Sequence, residues 1–134
     1  MKGARRFLAN FTGGEASCPV LRLSAMTIDR PTHWDHRYTK IGYRKVSWYS
    51  PEPRVSLALV ARTGATAATS IVDVGAGASL LADLLVEQGH TDVTLVDVSQ
   101  VALDEVAGRL STSAVSLTVV DVLEWEPDRQ WEVW

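Results

Sequence analysis

The sequence predicts an α/β fold, a parallel sheet with helices on both faces. Three observations lead there. Beyond residue 70, short β-branched runs alternate with helical segments, the pattern of strand–crossover–strand units. The stretch Ser70-Ile71-Val72-Asp73-Val74-Gly75-Ala76-Gly77-Ala78-Ser79-Leu80 passes from a buried strand through a glycine turn into a helix. Asp73, Asp97 and Asp121 each stand at the C-terminal end of a predicted strand. In an open parallel sheet those ends share one edge, and ligands bind there.

A chain of 134 residues, 46% hydrophobic and 22% charged, is bounded to one domain with a real core. No apolar run is long enough to span a bilayer. Lys2, Arg5 and Arg6 precede an apolar stretch broken by Asn10, Gly13 and Gly14, which is a poor signal peptide. The single Cys18 excludes an internal disulfide and fits a reducing, cytoplasmic compartment. The net charge of −3 is divided unevenly. Residues 1–62 hold eleven Lys and Arg against four acids, and residues 63–134 hold two against twelve. The basic residues are scattered, which reads as a solvated surface and gives no strong nucleic-acid signal.

In chain order, residues 1–31 show no sustained period and read as an irregular extension, with Met26 just before the first folded segment. His33–Tyr38 reads as a short helix with Thr32 as its cap, docked by Trp34 and Tyr38 at i, i+4. His33, Asp35 and His36 have poor spacing for a metal site, and none is expected. Val46–Tyr49 is apolar and aromatic. Ser50-Pro51-Glu52-Pro53 then places a cap, a proline and an acid at the start of a helix expected over Pro51–Thr63, with Val55, Leu59 and Arg62 on one face. Ala65–Ser70 links it to the first strand. A helix over Ser79–Gln88 buries Leu81, Leu84 and Leu85 and stops at Gly89. Asp92–Val96 is the second strand, ending at Asp97. Ser99 caps the next helix, whose apolar face is Leu103, Val106, Ala107 and Leu110. Ala114–Val120 is the third strand, ending at Asp121, and Gln130–Trp134 begins a fourth.

The glycine turn separates two ligand classes. Dinucleotide folds use G-x-G-x-x-G, and Leu80 stands at its third glycine. Asp73, Gly75 and Gly77, with Ser79 in the last place, instead fit acid-x-Gly-x-Gly-x-Gly. The glycines let a ligand approach the backbone, and the helix N-terminus behind them offers free N–H groups. Asp97 follows Asp73 by 24 residues, where a ribose-binding acid belongs, and a carboxylate can accept both vicinal hydroxyls.

Ile71–Ser79, Thr94–Asp97 and Val119–Trp125 together resemble motifs I, post-I and II of the class I S-adenosylmethionine-dependent methyltransferases. Trp34–Pro53 looks like the lead-in of small stand-alone bacterial members. The resemblance covers about residues 32–134 and implies the N-terminal half of a Rossmann-like, seven-stranded methyltransferase fold, a partial domain. It implies S-adenosylmethionine as cofactor, with Gly75, Ala76 and Gly77 near its methionine part and Asp73 at the amine. Asp97 and Val98 then lie at the ribose, and Asp121 and the backbone of Val122 at the adenine.

The implied reaction moves a methyl group from the sulfonium to an unidentified nucleophile, a small molecule or a protein side chain. Tyr38, Trp48 and Tyr49 are candidate walls near the methyl group, and no residue is assigned as a base. A non-catalytic cofactor-binding fragment and an NAD-dependent oxidoreductase are the competing readings. The sequence reads as a member cut short after the fourth strand begins. That predicts an open sheet edge, possible self-association, and apolar surface exposed at Trp125, Trp131 and Trp134.

Overall fold

Three β-branched segments pair in parallel in the computed structural model, which describes residues 29–134; the readings made for residues 1–28, Cys18 and Met26 included, lie outside it. The strands are β1 (Ile71–Val74), β2 (Val93–Asp97) and β3 (Val115–Val119). Their order is β1-β2-β3, with Ile71 opposite Val93 and Val93 opposite Val115. Parallel neighbours require long crossovers, and these are α3 (Leu81–Glu87) and α4 (Gln100–Arg109). Before them come α1 (Arg30–Ile41), a short 3₁₀ turn (Tyr43–Lys45) and α2 (Arg54–Arg62). Among the described residues, no helix is long and apolar enough to cross a membrane.

Side-chain alternation sorts the sheet into two faces. Ile71, Val93 and Leu95 point to the side where Leu81, Ala82 and Leu85 of α3 and Leu103 and Val106 of α4 complete the core. On the other side, Val72 and Val96 are 1% exposed, and Trp131 donates its indole N–H to Thr94 Oγ1 at 3.0 Å. Trp125 packs on Trp131 and Trp134, with ring centres 5.4 and 6.4 Å away. Trp134 is exposed as expected, whereas Trp125 and Trp131 are half-buried.

The fourth strand reduces to one parallel bridge, Ile71 with Val133. Val72 N–H donates to the Val133 carbonyl at 2.9 Å. The neighbours of Val133 are engaged otherwise: the Glu132 carboxylate accepts from Ser70 N–H, and Trp131 lies on Thr94. Even so, Val133 sits on the side of β1 away from β2. The chain therefore changes direction across the sheet at β1, the switch point where open sheets bind ligands.

The expected helix at His33–Tyr38 is the middle of α1. Asp29, not Thr32, stands at its N-cap; the Thr32 hydroxyl donates to Asp29 Oδ2 at 2.5 Å, and Pro31 occupies the first turn. The expected domain boundary between residues 31 and 32 thus falls inside α1. The helix expected from Pro51 starts three residues later, at Arg54. Glu52 precedes Pro53 and is kept out of helical geometry. Ser50 therefore caps nothing: its hydroxyl donates to the Glu52 carbonyl at 2.8 Å and closes a turn.

α2 also docks by another face. Leu57 and Val60 meet the core, while Val55 and Leu59 are exposed. The helix carries two apolar stripes, and periodicity alone does not choose between them. α3 is shorter than expected because Ser79 Oγ accepts from Leu81 N–H at 2.9 Å and belongs to the turn. In α4, Ser99 Oγ accepts from Ala102 N–H as predicted, and the buried face is Ala102, Leu103 and Val106, with Ala107 exposed.

Candidate ligand-binding cleft at the strand ends

The loop after β1 folds back on its neighbour. Gly75 and Ala76 N–H both donate to the Val96 carbonyl, at 2.8 and 3.1 Å, and Gly77 N–H donates to Asp97 Oδ2 at 2.8 Å. Gly75 and Gly77 have φ of 75° and 55°, a region that side-chain-bearing residues rarely adopt. A Cβ at Gly75 would meet open space, so the turn faces the cleft there. A Cβ at Gly77 would collide with the Tyr38 hydroxyl. The glycine that the sequence assigned to ligand approach is thus approached closely by the protein's own tyrosine.

Asp97 ties two loops together. Its Oδ2 holds the glycine turn, and its Oδ1 accepts from Ser99 N–H at 2.8 Å. A carboxylate has about four acceptor directions, so capacity remains for a ligand. Asp73 is half-buried beside it. Burial pushes the Asp73 carboxyl above its ordinary value, and the charge of Asp97 pushes the same way. At the end of β3, Asp121 Oδ1 accepts from Leu123 N–H at 3.0 Å, and Oδ2 accepts from Arg30 Nη1 at 2.7 Å. These two donors hold its carboxyl below the ordinary value, the Leu123 N–H being the larger influence.

Helix α1 crosses all three strand ends. Tyr38 covers the turn after β1. Asp35 Oδ1 accepts from Ser99 Oγ at 2.6 Å and from Val101 N–H at 3.2 Å, in the loop after β2. Arg30 pairs with Asp121 after β3. Sequence reasoning weighed Asp35 only as a poor metal ligand and missed Arg30. Their partners lie 64, 66 and 91 residues away, so no local pattern could have found them. His33 lies edge-on to Trp34 at 5.3 Å. Among the described residues, no three His, Cys, Asp or Glu side chains converge as a metal site.

Asp35→Ala should leave the buried Ser99 hydroxyl and Val101 N–H without an acceptor. It is expected to cost about 1–3 kcal/mol in urea unfolding. An unchanged midpoint would show that the clasp between α1 and the β2 loop contributes nothing.

Between α1 and the strand ends lies a cavity of about 540 Å³, lined by Gly75, Asp97, Val98, Asp121 and Val122 among others. Five of the eight residues chosen from sequence therefore share it. Val120, Leu123, Trp34 and Trp48 give it an apolar wall. A second cavity of about 390 Å³ adjoins it and takes in Ala76. Gly75, Tyr38 and Trp48 line both cavities; Asp73 and Gly77 line neither. Trp48 Nε1 donates to the Tyr38 hydroxyl at 3.4 Å. Burial raises the Tyr38 hydroxyl above its ordinary value, so it stays protonated at neutral pH, with the Trp48 bond opposing and the Asp97 charge adding.

The raised carboxyl of Asp73 has a thermodynamic consequence. The folded chain binds that proton more tightly than the unfolded chain does, so stability falls as pH rises from the unfolded value through the raised folded one. The penalty is complete only once the pH has passed the raised folded value. Asp73→Asn should therefore raise the thermal midpoint at pH 7, and the gain should shrink on acidification below the ordinary carboxylate range. A gain that persists in acid would place its cause elsewhere.

The described residues form a Rossmann-like open α/β sheet with an acid-lined cleft at its switch point, the edge where such sheets bind ligands. Neither a protein-family model nor a curated protein sequence matches the chain. Among solved structures, the DhpI-SAM-HEP complex is similar, with a TM-score of 0.52 and 20% identity over 76% of this chain and 46% of that one. The likeness is one of fold, and this chain spans less than half of that neighbour's length.

Proposed function

We propose that the cleft binds S-adenosylmethionine and that the chain carries the cofactor-binding half of a methyltransferase. The observation that carries this reading is the bond from Gly77 N–H to Asp97, which fixes a glycine turn and a carboxylate in one site. Asp97 would accept the ribose hydroxyls beside Val98. Asp121 and the Val122 backbone would face the adenine, against the wall of Val120 and Leu123. Gly75 and Ala76 would meet the methionine part, while Asp73 and the Tyr38-covered Gly77, which line neither cavity, would act from behind the turn.

The donor set fits such a ligand. Asp97 and Asp121 offer acceptors, the cation lining the cleft, Arg30, is already paired with Asp121, and Gly75 leaves room at the backbone. An acidic cleft suits a positively charged, hydroxyl-bearing ligand better than a pyrophosphate. The likeness in fold to a SAM-containing complex supports the same choice.

Bound there, S-adenosylmethionine supplies a methyl group on a positively charged sulfur. The chain's own part is to hold and orient the ligand and to exclude water beneath α1. No side chain of the cleft is placed as a base, and transfer is proposed for the whole protein.

Calorimetry with S-adenosylmethionine, S-adenosylhomocysteine and NAD tests the reading. The adenosyl-sulfur ligands should bind and NAD should not. NAD binding as tightly as either would overturn it.

A further inference from the structure

A transfer reaction needs two binding chambers that meet, and the second cavity has the position of the other one. We infer that this cavity, beside the cleft proposed for the cofactor, takes a small hydroxyaromatic acceptor, a phenol-like molecule whose oxygen would form the new bond to the methyl carbon as the sulfonium's S–CH3 bond breaks, leaving a neutral thioether and releasing the hydroxyl proton to solvent. The inference rests on the cofactor reading for its function but on separate residues for its chemistry.

The two cavities share Gly75, Tyr38 and Trp48 as lining residues, so ligands in the two would meet the same three residues. All three tyrosines of the chain, Tyr38, Tyr43 and Tyr49, line the second cavity together with Trp48. They stand in edge-to-face pairs, Tyr43 with Tyr49 at 5.9 Å and Tyr38 with Trp48 at 6.4 Å. Such walls present both ring faces and ring edges, the geometry that holds a further aromatic ring.

The charges select among aromatic guests. Two guanidinium groups already stand against Tyr43, with Arg109 5.1 Å and Arg44 5.4 Å from its ring centre. Arg44 Nε also donates to the Tyr43 hydroxyl at 2.9 Å. Neither guanidinium lines the cavity, but together they engage the Tyr43 ring, so a cationic guest would find that ring's attraction for cations already used. Glu52 and Arg54, the charged residues lining this cavity, are paired with each other. A neutral ring bearing one electron-rich hydroxyl meets these conditions, and Ser56 and Tyr49 line the same chamber.

The test titrates the chain with phenol, and with benzylammonium as the cationic comparison, by NMR, with and without saturating S-adenosylhomocysteine. Phenol should bind and shift the Tyr49 and Trp48 ring signals, and benzylammonium should bind more weakly. Tyr49→Ala should weaken phenol by about tenfold, the worth of one aromatic partner. Ser56→Phe, which fills the chamber from α2, should abolish phenol binding while S-adenosylhomocysteine binding persists. Phenol binding that survives both substitutions, no phenol binding at all, or a preference for benzylammonium would each overturn the inference. Failure of S-adenosylhomocysteine to bind counts against the cofactor reading instead, and the titration without it still decides the chamber.

Discussion

Gly77→Val is expected to abolish binding of S-adenosylhomocysteine and to lower stability sharply, because two independent costs fall on one residue. With φ at 55°, a β-branched side chain is held in a region that costs of order 1–3 kcal/mol. Its Cβ would also occupy the place of the Tyr38 hydroxyl, and Tyr38 is 7% exposed and packed with Ala78 and Ala102. Tyr38 must move, and α1 with it. The two costs separate experimentally. Gly77→Ala keeps the collision and part of the strain, and Tyr38→Ala removes the collision partner. If the collision matters, the two substitutions together should cost less than the sum of their separate effects. Gly75→Ala is the control, since its Cβ meets nothing and only the backbone strain remains. Urea unfolding followed by tryptophan fluorescence supplies the stabilities. A Gly77→Val chain with the parent's midpoint would remove close packing at the turn from the account.

What the sequence made legible was local. The β1–turn–α3 unit follows from β-branched residues, positive-φ glycines and Ser79, all within ten residues of one another. Ser99 was readable as a cap because capping is a contact between near neighbours. Asp97 was readable as a strand-end acid, and its bond from Ser99 N–H is a local turn two residues on, but its bond from Gly77 N–H, which makes it the joint of the site, follows from the parallel register of β1 and β2.

The long-range misses share one cause. Which stripe of α2 docks, and what Arg30, Asp35 and Tyr38 do, are decided by elements distant in sequence. Asp35 looked like part of a weak His-Asp-His cluster; its partner is a serine hydroxyl in another loop. The start of α2 could have been read better, since the proline at 53 already excludes Glu52 from the helix.

Asp97→Ala should be the most damaging single change that adds no bulk. It removes the acceptor of Gly77 N–H and of Ser99 N–H together, and Ser99 is 0% exposed. Each donor left unpaired costs about 1–3 kcal/mol, toward the lower end where water reaches it. Affinity for S-adenosylhomocysteine should fall by more than stability alone explains, because the same carboxylate is proposed to hold the ribose hydroxyls. Asp97→Asn is the sharper probe. Its amide keeps one acceptor oxygen and turns the other position into a donor. One of the two loops should therefore stay tied, leaving the fold closer to the parent than binding is. Asp73 gives a second readout. The charge of Asp97 helps hold the Asp73 carboxyl above its ordinary value, so removing that charge relieves part of Asp73's penalty at neutral pH. Asp97→Ala should thus cost more in an Asp73→Asn background, where no penalty remains to be relieved, than in the parent. Equal costs in the two backgrounds would show that the carboxylates do not sense each other. Parent-like affinity in Asp97→Ala, measured by calorimetry below its unfolding transition, would remove this residue from the ligand site.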